Sequence, residues 1–132
     1  MRKINSIIVH CSATDNKKLD SARAIRKMHI EKNKWSDIGY HYYIRKSGLL
    51  EFGRKENIQG AHARKFNKNS IGICLGGLKV EKFTEAQFKA LAELINDIRT
   101  RHDIKNIVAH NFVANKTCPV FNIVDEIFHR LK

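Results

Sequence analysis

The amino-acid sequence predicts a single α/β domain of the α+β type, in which helices flank a central mixed β-sheet. Its 132 residues suit one domain, and we expect that domain to span residues 1–132. A hydrophobic fraction of 42% and a charged fraction of 29% are ordinary for a folded protein. Strand and helix patterns follow one another without regular β-α-β alternation, and this order favours a mixed sheet.

Five short segments have the apolar or alternating pattern of β-strands. The first contains the apolar run Ile7-Ile8-Val9, and Gly76-Gly77 closes the fourth. Lys46-Ser47-Gly48 has the composition of a turn, so the second and third strands should form a hairpin. The predicted strands are Ile4–Cys11, Ile38–Arg45, Leu49–Phe52, Ser70–Leu75 and Ile104–Ala109.

Three segments predict helices. The first covers Asp20–Asn33. The second covers Thr84–Arg101 and begins with a Thr-x-x-Gln capping box formed by Thr84 and Gln87. The third begins at Asn122, which is a favourable N-cap residue. Each has an apolar stripe at helical spacing: Ala22, Ile25 and Met28; Phe88, Leu91, Leu94, Ile95 and Ile98; Val124, Ile127, Phe128 and Leu131.

The formal net charge of +12 predicts an anionic partner. A bacterial cell wall and a nucleic acid both qualify, and a basic surface that serves only solubility is the plain alternative. The start of the chain lacks the pattern of a signal peptide, and no apolar run reaches the roughly 18 residues of a membrane span. We therefore expect synthesis in the cytoplasm without an export signal. The sequence does not specify an oligomeric state, and a monomer is the favoured expectation.

Cysteine usage indicates a reducing compartment. An odd count of three, at irregular spacing, argues against a disulfide framework. Cys11 and Cys74 fall within apolar strands, where we expect them to pack in the core. Cys118 is different, because it lies outside the predicted strands, eight residues after His110.

Two histidines and this cysteine form a candidate metal site. His10 and His110 each stand at the carboxyl end of a predicted strand, and Cys118 follows eight residues after His110. Two imidazoles and a thiolate suit zinc, and three protein ligands leave a fourth position for water, as in catalytic zinc sites. Hydrogen-bonded histidines and a small core cysteine are the alternative that spacing alone leaves open.

Two further residues could act beside such a metal. Tyr40 and His41 are neighbours, so strand alternation allows only one of them to face the site. Lys116 lies two residues before Cys118, where its ammonium group could stabilise an oxyanion. A core tyrosine and a solvated lysine are the alternatives.

Five motifs in order make the chain resemble the type 2 N-acetylmuramoyl-L-alanine amidases, a family that includes phage lysozymes and shares its fold with animal peptidoglycan recognition proteins. The resemblance covers nearly the whole chain. Any one motif is weak, whereas five in the right order are specific. The motifs are Ile8-Val9-His10-Cys11-Ser12-Ala13-Thr14, Ile38-Gly39-Tyr40-His41-Tyr42-Tyr43-Ile44, Gly48–Arg54, Gly60–Ala63 with Asn67–Ile73, and His110 with Lys116-Thr117-Cys118-Pro119.

The resemblance implies hydrolysis of the amide bond between N-acetylmuramic acid and the L-alanine of the stem peptide. The implied biological role is cell-wall lysis by a phage or prophage endolysin. The resemblance implies one zinc ion held by His10, His110 and Cys118. It also implies catalytic roles for Tyr40 and Lys116. With less support it implies that His62 and Asn69 line or brace the substrate groove. The remaining histidines are expected to be structural or exposed: His29, His41, His102 and His129.

Two rival functions remain at this stage. A peptidoglycan-recognition module would bind the wall without cutting it, and the intact set of Cys118, Tyr40 and Lys116 argues against that. A nucleic-acid binder is suggested only by charge, since no helix-turn-helix, zinc-finger or RNP-like motif is present. The stretch between His29 and Trp35 is one residue longer than in the phage lysozymes, so the loop there should differ.

Overall fold

A computed structural model describes residues 2–77, 83–110 and 127–131 of the chain. Its central sheet has five strands in the order β3-β2-β4-β1-β5. Pairing is parallel except between β2 and β3, which form the expected hairpin. The predicted mixed sheet is therefore confirmed. The strands are β1 (Ser6–Cys11), β2 (Tyr42–Ile44), β3 (Leu50–Phe52), β4 (Ser70–Leu75) and β5 (Asn106–Ala109).

Two α-helices accompany the sheet, α1 (Ala22–Asn33) and α2 (Glu85–Arg99). Short 3-10 helices occupy Lys17–Leu19, Asn67–Asn69 and Phe128–Arg130. Across the described ranges, no helix is both long and apolar enough to span a membrane.

Strand alternation divides the sheet into two faces. Ile7, Val9 and Cys11 of β1 point into the main core, which α2 covers. Ile8 and His10 point to the other face, where α1 covers only part of the sheet. The smaller core beneath α1 consists of Ala22, Ile25, Ile38, Tyr43 and Cys74, with Met28 and Tyr40 packed against it.

Helix α1 begins two residues later than predicted because the Asp20 side chain forms hydrogen bonds outside the helix. Its carboxylate accepts hydrogen bonds from the Tyr43 hydroxyl at 2.8 Å and from the backbone N–H of Lys46 at 3.0 Å. The hydroxyl of Ser21 instead caps the helix by accepting from the N–H of Ala24 at 3.0 Å. The expected apolar face of the helix is present.

Strand β2 is shorter than the predicted Ile38–Arg45. Ahead of Tyr42 the backbone packs directly against other loops. A Cβ added at Gly39 would lie 2.3 Å from the Ala61 carbonyl oxygen. The N–H of Ala61 in turn donates to the Gly39 carbonyl at 2.9 Å. Loop contacts therefore replace the sheet ladder at Gly39, whereas Tyr40 and His41 still share backbone hydrogen bonds with Arg54, Gly53 and Gly72.

The carboxyl-terminal prediction is tested only in part. The predicted start of the last helix at Asn122, and its residue Val124, lie outside the described residues. Ile127 is buried and Leu131 packs on the main core, as expected. Phe128, which was predicted to face inward, is 44% exposed. This prediction was wrong because Phe128–Arg130 forms a 3-10 helix, whose side-chain spacing differs from that of an α-helix.

The amino end of α2 is joined to the sheet through Gln87. Its side chain and that of Thr84 form the predicted capping box. The Gln87 amide also donates to the carbonyl of Gly76 at 2.9 Å and to that of Ile44 at 3.3 Å, at the ends of β4 and β2. The residue is fully buried, so its amide satisfies backbone groups that water does not reach.

We expect Gln87→Ala to destabilise the fold by about 3 kcal/mol, because it removes the side-chain partner of two backbone groups, the Gly76 carbonyl and the Thr84 N–H. Urea denaturation at constant m-value measures the change. Lys89→Ala, on the exposed face of the same helix, is the matched control and should change the free energy of unfolding by less than about 0.5 kcal/mol. Equal effects of the two variants would contradict the role of Gln87.

Candidate metal centre and active site

The parallel register of β1 and β5 brings two histidines together at the carboxyl end of the sheet. Val9 pairs with Ala109, so the next residues, His10 and His110, are adjacent. Their ring centroids are 4.3 Å apart, and His10 is only 1% exposed. The ring of Tyr40 lies 5.1 Å from that of His10. Three of the predicted site residues thus meet at one place.

Tyr40, rather than His41, lies beside His10. Its ring is packed between the rings of His10 and His29, and its side chain packs against the small core that contains the Cys74 thiol. Burial raises the pKa of that thiol well above its ordinary value, so the thiol stays protonated beside the phenol.

His41 is a buried structural residue, as predicted. The backbone N–H of Gly72 donates to its Nδ1 at 3.0 Å, so the neutral ring carries its proton on Nε2. Nε2 lies 2.8 Å from the carbonyl oxygen of Ile58 and donates to it. Burial lowers the pKa of His41 to about 4, the Ile58 contact opposes this, and the nearby Arg2 and Arg54 add to the lowering.

His62 is in direct contact with His10. Its Nδ1 lies 2.8 Å from Nε2 of His10, and its Nε2 lies 3.2 Å from the Ser70 hydroxyl oxygen. Only 8% of the residue is exposed. Burial lowers the pKa of His62 to about 3, with further lowering from the neighbouring His41 and His110. The ring packs behind His10, and its predicted part in lining or bracing the substrate groove stays a prediction.

The loop that carries His62 is fixed to the sheet by groups that sequence reasoning did not single out. The Asn67 side-chain oxygen accepts from the backbone N–H groups of His62 and Ala63, at 2.9 and 2.8 Å. The His62 ring lies flat against Gly72, where an added Cβ would come within 2.4 Å of it. A glycine inside the apolar run Ile71-Gly72-Ile73 was the available signal, since strand glycines often mark a close approach.

Asn69 is placed away from the histidines. Its side-chain amide donates to the Lys3 carbonyl at 2.9 Å, near the amino end of β4. It also lines a cavity of about 340 Å³. Ser6 and Ile8 line the same cavity, on the sheet face that carries His10. Asn69 therefore lines a cavity on the same sheet face as His10. The substrate-binding role of Asn69 stays a prediction.

The other histidines have the structural or exposed positions that we expected. Nδ1 of His29 accepts from the N–H of Gly39 at 2.9 Å. Nε2 of His102 contacts the Glu56 carboxylate at 2.8 Å. His129 is exposed. Cys11 and Cys74 are buried, in agreement with their predicted packing.

The described residues supply two of the three predicted ligands of a metal site. His10 and His110 are two nitrogen donors side by side, next to a neutral His62, and metals bind the neutral form of imidazole. No group of three possible metal ligands occurs among the residues that the structure describes. The predicted third ligand, Cys118, and the predicted catalytic residue Lys116 lie outside those residues.

Comparison with known proteins identifies the family. The sequence profile of the N-acetylmuramoyl-L-alanine amidases matches residues 1–121. This chain belongs to that family. An endolysin of Klebsiella phage KP32 is 37% identical over 128 residues, which cover 92% of this chain and 84% of the endolysin. The amidase LysC from Clostridium intestinale superimposes with a TM-score of 0.81 at 32% identity, covering 89% of this chain and 77% of LysC.

Family members also include recognition proteins. Peptidoglycan-recognition protein SC2 of Drosophila melanogaster is 36% identical over 107 residues, which cover 78% of this chain and 58% of that protein. The family and the fold class predicted from the sequence are both confirmed. An enzyme of the amidase type is favoured over a nucleic-acid binder.

We expect the stability of the metal-free protein to fall as the pH is lowered from about 6.5 to about 4, partly through His41. Its folded-state pKa lies below its unfolded value, so its contribution is present above pH 6.5 and is lost as the pH falls toward 4. The loss from this residue should be about 3 kcal/mol.

Urea denaturation across this pH range measures the effect. His41→Asn keeps an acceptor for the N–H of Gly72 but does not titrate, so its stability profile should be flatter than that of the wild type. Parallel profiles for the two proteins would show that His41 is not the titrating group.

Proposed function

We propose that residues 1–132 form a zinc-dependent peptidoglycan amidase that hydrolyses the amide bond between the lactyl group of N-acetylmuramic acid and the L-alanine of the stem peptide. The observation that carries this proposal is the adjacency of His10 and His110 at strand ends, in a member of the amidase family. The similarity to phage endolysins supports a role in cell-wall lysis, with the enzyme acting on the wall after its release from the cytoplasm.

The donor set is suited to zinc. His10, His110 and Cys118 would supply two nitrogens and a sulfur, and leave one position open for water. When bound, the ion would supply Lewis-acid activation of water and of the scissile carbonyl. Metals bind the neutral form of imidazole, and His10 is buried at the strand ends, where bulk water does not compete for its nitrogens.

The protein's own groups would guide the rest of the reaction. Water adds to the lactyl carbonyl, the carbon–nitrogen bond breaks, and the amine of L-alanine leaves after it gains a proton. Lys116 stabilises the oxyanion that forms during the addition. Tyr40, whose ring lies 5.1 Å from that of His10, orients the water and assists the transfer of its proton.

The charge of the chain supports a wall substrate. A net charge of +12 favours adsorption to a surface rich in carboxylates. Amide and hydroxyl side chains of Asn5, Ser6, Asn69 and Asn106 line the 340 Å³ cavity on the His10 face, and such groups suit a peptide or glycan. We propose that substrate extends from the histidines along this face.

Product analysis of digested peptidoglycan tests the proposal. Zinc-replete wild type should release stem peptides with a free L-alanine amino terminus, and chelated protein should not until zinc is returned. Cys118→Ser should abolish release. Tyr40→Phe and Lys116→Met should lower kcat by roughly 10²-fold to 10³-fold, the usual cost of losing one transition-state hydrogen bond.

Two controls sharpen the result. Lys105→Met and His129→Asn alter exposed residues that have no predicted part in the site, and both should keep wild-type activity. Equal activity in chelated and zinc-replete protein would contradict zinc dependence. Zinc-loaded wild type that binds the wall without releasing any peptide would instead identify a recognition module.

A further inference from the structure

A row of hydrogen bonds connects the predicted metal ligand His10 to the protein interior. Nε2 of His10 contacts Nδ1 of His62 at 2.8 Å, and Nε2 of His62 contacts the Ser70 hydroxyl at 3.2 Å. The Ser70 hydroxyl then lies 2.7 Å from the carbonyl oxygen of Phe66. His10 and His62 are 1% and 8% exposed, so bulk water does not compete for these contacts.

The Phe66 carbonyl oxygen, at the end of the row, determines the direction of every hydrogen bond in it. A carbonyl oxygen can only accept, so the single hydroxyl proton of Ser70 points to Phe66. The Ser70 oxygen must then accept from His62, which places the His62 proton on Nε2. Nδ1 of the neutral His62 ring is consequently an acceptor, and its partner at 2.8 Å must be an N–H of His10. His10 therefore carries its proton on Nε2, and its lone pair is on Nδ1.

We propose that His62 is a positioning residue that holds His10 in this tautomer and orientation, so that Nδ1 of His10 is the metal-binding atom. The inference rests on the proposed function, in which His10 is a zinc ligand. Metal-bound histidines commonly donate their second N–H to a protein acceptor, which fixes both tautomer and ring orientation. Here that acceptor is a second imidazole instead of a carboxylate.

The surroundings of His62 are those of a rigid support. Asn67 fixes the backbone on which the ring is carried, through two hydrogen bonds of 2.8 and 2.9 Å. The absence of a side chain at Gly72 makes room for the His62 ring against the sheet. Gly60 makes room on the loop side, where an added Cβ would lie 2.7 Å from the ring. Both ring nitrogens of His62 contact protein groups, so the residue acts on His10 rather than on substrate.

Tautomers are read directly from long-range ¹H–¹⁵N correlation spectra of the metal-free, ¹⁵N-labelled wild type at neutral pH, with His10→Gln and His62→Asn used for assignment. We expect both His10 and His62 to carry the proton on Nε2, and zinc to shift Nδ1 of His10. A His10 proton on Nδ1 would overturn the inference without any use of a variant.

Zinc affinity, measured by competition with a chromophoric chelator, gives the second readout. His62→Leu removes the acceptor and should weaken zinc binding by about 10-fold to 100-fold, the usual effect of losing such a partner. His62→Asn keeps an oxygen near the Nδ1 position and should recover most of that loss. Ser70→Ala removes only the Ser70 contact, so the His62 ring should no longer be restricted to one tautomer. Zinc binding should weaken by a smaller factor than in His62→Leu.

The controls separate this inference from the proposed function. His129→Asn, at an exposed site, should bind zinc like the wild type, and circular dichroism should verify the fold of each variant. Wild-type zinc affinity in a folded His62→Leu protein would overturn the positioning role and leave the amidase intact. A wild type that binds no zinc would overturn both.

Discussion

The parallel pairing of β1 with β4 and β5 is the constraint on which the site depends. It aligns the carboxyl ends of three strands, so that His10 lies opposite Cys74 on one side and next to His110 on the other. A shift of register by one residue would turn His10 toward the core under α2 and remove it from the site. The two cores hold this register, because the residues on both sides of His10 in β1, Val9 and Cys11, are buried among the side chains beneath α2.

Burial of neutral imidazoles is the second feature of the molecule. His41 and His62 pack against each other and against Gly72, and the pKa of each is lowered far below its usual value, principally by desolvation. A fixed network of hydrogen bonds joins these rings to Ser70 and to the backbone. The same burial that weakens the protein in acid keeps both rings neutral, and metals bind only the neutral form of imidazole.

Much of this arrangement could be predicted from the sequence, and the exceptions have physical reasons. His10 and His110 were found because strand ends deliver side chains to a common edge, and Tyr40 was found from its motif. The contact between His62 and His10 was not predicted, because it joins residues 52 positions apart, and no local pattern encodes such a distance. The predicted places of Asn69 and His62 at the substrate groove stay predictions. Phe128 was predicted inward from a helical period that the chain does not follow there.

We propose that a zinc ion binds at the strand ends through His10, His110 and Cys118, and X-ray absorption at the zinc edge of the loaded wild type reports these ligands. We expect two nitrogen neighbours at about 2.0–2.1 Å and one sulfur neighbour at about 2.3 Å, with an oxygen completing four-coordination. The sulfur signal should disappear in Cys118→Ser. A wild-type spectrum with no sulfur neighbour, or with only water and carboxylate oxygens around the zinc, would rule out this set of ligands.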